Sequence, residues 1–79
     1  MKNVHIGDCV RWESTAGTIR GEIVDIRLNR NADDELVPWL LVEHMIGNQV
    51  CYAVICGTDS YLKMVKLEVI YRDREKQAA

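Results

Sequence analysis

The run IGDCVRWESTAGTIRGEIVDIRL, Ile6–Leu28, decides the fold. From Cys9 to Glu13 it alternates, Val10 and Trp12 on one side and Cys9, Arg11 and Glu13 on the other, the period of two of a half-buried strand. Ser14-Thr15-Ala16-Gly17-Thr18 is turn chemistry, with Gly17 free to take a positive φ. A second strand then runs from Ile19 to about Leu28, and the two form a β-hairpin. In that strand Ile19, Gly21 and Ile23 share one parity while Val24, Ile26 and Leu28 share the other. A flat strand cannot bury both sets against one core, so a bulge or sharp bend is expected between Ile23 and Asp25. Gly21, with no side chain to crowd a crossing strand, fits the same bend.

The rest of the chain supplies strands to cover the apolar face of this hairpin. Val4 and Ile6 lay a brief strand or close one end of the sheet. Asn29–Glu35, NRNADDE, is the longest loop, polar and without apolar period, with Asp33, Asp34 and Glu35 as a solvated acidic tip. Pro38 fits a strand start or an edge, because it cannot donate to a ladder. Trp39-Leu40-Leu41-Val42 is apolar on both faces, Ile46-Gly47-Asn48-Gln49 reads as a hairpin turn, and Val50–Ile55, VCYAVI, is again apolar on both faces. Cys56-Gly57-Thr58-Asp59-Ser60 turns the chain. Tyr61–Val65 is expected as a turn or short 3-10 piece and Leu67–Tyr71 as the last strand. The expected domain is 1–71, and 72–79, RDREKQAA, is expected as a frayed charged tail.

Seventy-nine residues make one domain with a thin core. A composition of 48% hydrophobic and 28% charged residues excludes a disordered or low-complexity chain. Without a run of ~20 apolar residues, or an apolar core in the first residues MKNVHIGD, the chain is expected in the cytoplasm and not in a membrane. Ten basic residues against twelve acidic ones, net −2, disfavour a dedicated nucleic-acid binder. Cys9, Cys51 and Cys56 have no CxxC spacing and read as buried, reduced, small apolar side chains. Together with His5 and His44 they have no finger or ribbon spacing, so no metal and no cofactor is expected.

Gly7-Asp8, Val10, Trp12, Ser14, Ala16-Gly17, Gly21 and Ile23-Val24 together resemble the opening of small SH3-like barrels of the Tudor and KOW type, and are similar to the bacterial hypervirulence-associated Tudor-like family. The resemblance covers about the first third of the chain. It implies an all-β, five-stranded antiparallel SH3-like barrel with a short 3-10 turn before the last strand. The same opening resembles the plasmid-encoded type II dihydrofolate reductases, whose active pore depends on a Val-Gln-Ile-Tyr motif. Here the nearest stretches are Gln49-Val50-Cys51-Tyr52 and Tyr61-Leu62-Lys63-Met64, and neither reproduces it. No catalytic residue is carried over.

A Tudor-type barrel implies an aromatic cage for methylated side chains, since a ring face attracts a cation. The aromatics are Trp12, Trp39, Tyr52, Tyr61 and Tyr71. Trp12 shares the parity of Val10 and Trp39 sits in an apolar run, so both are expected in the core or an interface, with Tyr61 as the surface candidate. Arg11, Arg20, Arg27 and Arg30 form a candidate phosphate-contacting set of the KOW type, interleaved with Glu13, Glu22 and Asp25, which would neutralise them across the strands. Two neighbouring strands apolar on both faces need a second cover, which predicts a homo-oligomer, a dimer, with Trp39, Leu41, Cys51, Tyr52, Ala53 and Tyr61 as the partner or oligomer surface. The expected function is a non-catalytic binding module contacting a protein through loop or edge surfaces, with Ser14–Thr18 and Asn29–Val37 as the loops. The alternative is a KOW-like module contacting RNA or DNA.

Overall fold

The structure is a computed structural model that describes residues 4–71, and the side chain of Tyr71 also lies outside the description. The expected tail 72–79 falls outside the described residues. Five strands and one short helix follow in the order β1 (Cys9–Ser14), β2 (Gly17–Arg30), β3 (Leu36–Ile46), β4 (Gln49–Cys56), α1 (Asp59–Met64) and β5 (Glu68–Tyr71). The fold is all-β, and the strands make one antiparallel sheet in the order β4-β3-β2-β1-β5.

The bend expected in the second strand is present. β2 pairs with β1 over its first half, Cys9 to Ser14 facing Glu22 to Gly17. Its second half pairs with β3, and the register slips between Ile23 and Asp25. Val24 is absorbed by that bulge, which is why Ile23 and Ile26 can both face the core against Val42 and Leu40. The bend brings β2 hard against β3 at Gly21, where a Cβ would stand 2.5 Å from the Glu43 carbonyl oxygen and 2.7 Å from Val42 Cγ1. Only glycine fits there.

The sheet does not close into the expected barrel, because β4 and β5 are its two edges and do not pair with each other. After Cys56 the chain leaves the sheet to form α1, and side chains from this crossing fill the core where a strand pair would have sealed it. Leu62 and Leu67 join Val4, Val10, Trp12, Ile23, Leu40, Val42 and Ile55 in one buried cluster.

Where a 3-10 piece was expected at Tyr61–Val65, the structure has a turn and a half of α-helix two residues earlier. Thr58 caps it, its hydroxyl accepting from the Tyr61 N–H, and Asp59 and Lys63 suit the two ends of the helix dipole. The helix ends in a Schellman turn: Leu67 N–H donates to the Leu62 carbonyl at 3.0 Å and Lys66 N–H to the Lys63 carbonyl at 3.2 Å. Lys66 takes the left-handed conformation, φ 55°, that glycine usually occupies. Two caps and one buried leucine make so short a helix possible.

β3 begins earlier than the apolar run suggested, at Leu36, and passes through Pro38. Pro38 carries its carbonyl towards the β4 side, where it accepts from Gly57 N–H at 2.8 Å. Its missing N–H therefore lies beyond the end of β4 and breaks no bond to β2. At the start of the chain Asp8 is buried and accepts from the His5 N–H at 2.9 Å, closing the turn through Gly7.

Candidate functional site

Register assigns the residues of the middle of β3 and their partners on β4 to one side of the sheet or the other. Leu40, Val42 and His44 face inward and pair with Ile55, Ala53 and Cys51. Trp39, Leu41, Glu43 and Met45 face outward and pair with Cys56, Val54, Tyr52 and Val50. The partner surface read from sequence is thus divided. Trp39, Leu41 and Tyr52 lie on the outer face, whereas Ala53 packs against the core and Cys51 shares its inward parity. Tyr61 stands on α1, whose Leu62 enters the core, and so does not join the outer face.

Among the described residues that outer face, apart from Glu43, is apolar and open. Val54 is 66% exposed, Tyr52 59%, Met45 57% and Val50 49%; Met45 pairs with Val50 across the strands, and Val50, Tyr52 and Val54 follow one another at alternate positions of β4. None of Met45, Val50 and Val54 was singled out from sequence. The two-residue turn Gly47-Asn48 held the signal, because pairing Ile46 with Gln49 fixes the parity of every residue behind it.

At one end of the patch lies a groove of about 380 Å³ lined by Asp25, Arg27, Trp39, Leu40, Leu41 and Val54. The Trp39 indole is steered by donation from Nε1 to the Asn29 carbonyl at 3.4 Å. Arg27 Nε donates to Asp25 Oδ2 at 2.6 Å, and this hydrogen bond, opposed by some desolvation, holds the Asp25 carboxyl below its ordinary value. In mid-patch Tyr52 donates its hydroxyl to Glu43 Oε2 at 3.0 Å, which pushes the Tyr52 phenol above the ordinary tyrosine value.

The arginines do not gather into one positive patch. Arg27 pairs with Asp25 within β2 and not across the strands as expected, Arg11 pairs with Glu68 of β5 at 2.7 Å, and Arg30 pairs with Asp34 at 3.5 Å. Glu13 accepts from the Thr18 hydroxyl, and Arg20 stands opposite Arg11 across β1 and β2. Among the described side chains the aromatics do not form a cage either. Trp12 is buried, edge-on to His44 with ring centres 5.9 Å apart, while Trp39 and Tyr52 lie on the other side of the sheet. The acidic loop is shaped by Asn31, whose Oδ1 accepts from the N–H groups of Asp33 and Glu35. Among the described residues no three metal-ligating side chains converge, and no helix is long and apolar enough to cross a membrane.

Compared with known families, curated proteins and solved structures, the chain matches none.

Proposed function

We propose that this chain is a small cytoplasmic binding module of SH3-like, Tudor or KOW type, without a catalytic role, which contacts a protein partner through the outer face of β3 and β4. The strand order β4-β3-β2-β1-β5, the corner at Val24 and the single helix before the last strand support the SH3-like reading. The observation that carries the function is the apolar patch of Leu41, Met45, Val50, Tyr52 and Val54, ending in the Trp39 groove with its Asp25–Arg27 rim. An extended apolar segment ending in a polar or charged residue suits that shape, its side chains on the floor and its head group against the ion pair.

A nucleic-acid partner is the weaker reading, since three of the four candidate arginines are engaged by Glu68, Asp25 and Asp34 and the net charge is −2. The test is affinity capture from native cytoplasm, with and without nuclease, by the natural chain and by a Leu41→Asp variant. A protein retained after nuclease and lost with Leu41→Asp is the expected result. Material released by nuclease would transfer the assignment to the arginines.

A further inference from the structure

We infer that the open edge of β4 pairs with the β4 edge of a second copy of this chain, antiparallel about a two-fold axis at Tyr52, joining two five-stranded sheets into one. The inference rests on the reading of this face as an interaction surface and names one occupant for its edge.

Backbone geometry sets the register. Antiparallel pairs alternate between those that exchange hydrogen bonds and those that do not. The bond from Gly57 N–H to the Pro38 carbonyl fixes the phase, so residues 49, 51, 53 and 55 are bonded to β3. Val50, Tyr52 and Val54 consequently point their N–H and C=O groups at the open edge, and their side chains at the outer face. A two-fold at Tyr52 sets Tyr52 opposite itself and Val50 opposite Val54. All three are then in hydrogen-bonding phase, and three residues from each copy satisfy one another's six donors.

Charge and edge protection choose the occupant. Proteins guard exposed edges with charges, prolines, bulges or very short strands. β5, the other edge, is four residues long, carries Glu68 and pairs with β1 through an irregular register. β4 has none of these guards: it runs eight residues, QVCYAVIC, in unbroken register and bears no charge at all. About a two-fold axis at Tyr52 the strand meets its own copy, so a strand carrying charges of one sign would repel it and an uncharged one does not. Across the join the pairs are Tyr52 with Tyr52, Val50 with Val54 and Cys51 with Ala53, each neutral, and the tyrosine and valine pairs are of the aromatic and β-branched types that pleated faces favour.

The register makes the test specific. Sedimentation equilibrium of the full chain at high micromolar concentration should show a dimer. Val50→Lys with Val54→Lys should give a folded monomer, because two ammonium groups then oppose each other at both ends of the join. Val50→Lys with Val54→Glu should restore the dimer, because each ammonium then faces a carboxylate. Both side chains are about half exposed or more, so circular dichroism should show the natural fold in both variants. A monomeric natural chain overturns the inference, as do two double variants that behave alike, whether both dimeric or both monomeric. A monomer that still loses its protein partner with Leu41→Asp overturns the dimer alone and leaves the proposed function standing.

Discussion

Gly21 and Glu43 touch backbone to backbone: a methyl group on Gly21 would stand 2.5 Å from the Glu43 carbonyl oxygen. Neither side of that contact has a flexible end to move away. Gly21→Ala should therefore cost about 1–3 kcal/mol, as overpacked cores do. Urea denaturation should show a lower midpoint with an unchanged slope, the sign that stability and not compactness has altered. A midpoint equal to the natural chain's would mean that the corner of the sheet yields to a methyl group.

Lys66 holds the left-handed position of the Schellman turn with a side chain that disfavours it. Lys66→Gly should raise stability by about 0.5–1 kcal/mol, the relief of left-handed strain less the extra freedom glycine has when unfolded. Thermal melting should move up by a few degrees. Thr58→Ala, which removes the cap at the other end of α1, should move it down by a similar amount.

The Tyr52 hydroxyl donates to Glu43, so the neutral phenol is the form that the fold favours. Its folded value is raised, and the contribution of this bond is complete below the ordinary tyrosine value and is lost as pH rises through the raised one. A phenolate absorbance titration, taken as the difference between the natural chain and Tyr52→Phe, should place Tyr52 above a free tyrosine. Glu43→Gln should bring it back down.

Asp25 is shifted the other way, chiefly by its hydrogen bond from Arg27. The pairing is complete above the ordinary aspartate range and disappears as pH falls through the lowered value. Arg27→Met should move the Asp25 carboxyl signal upward in a nuclear magnetic resonance titration. It should leave the melting temperature at neutral pH almost unchanged, since Arg27 is 83% exposed and exposed ion pairs add little.

The opening hairpin and its corner were legible because Ile6–Leu28 mixes apolar and polar residues, so each parity is visible and the switch after Ile23 can be seen. In VCYAVI every residue is apolar or small, and alternation has nothing to contrast. That is why Cys51 and Ala53 were grouped with Tyr52, although they face the opposite side. Glu68 as the partner of Arg11 is 57 residues away and leaves no local trace. In Tyr61–Tyr71 Leu62, Val65 and Val69 suit a helix while Val65, Leu67, Val69 and Tyr71 alternate as in a strand, and the choice fell to capping by Thr58 and Lys66, not to the pattern itself.

The strand order has a kinetic side. β1 to β4 pair each with the next in sequence, and only β5 must return across the chain to reach β1. Closing that loop costs the most chain entropy for four residues of ladder, so the meander should assemble first and the α1–β5 segment should dock last. Leu67, buried at the point of docking, would then be absent from the transition state. Leu67→Ala should speed unfolding and leave the folding rate nearly untouched in stopped-flow experiments. The segment that seals the core is thus also its latch, the first part of the native structure to let go.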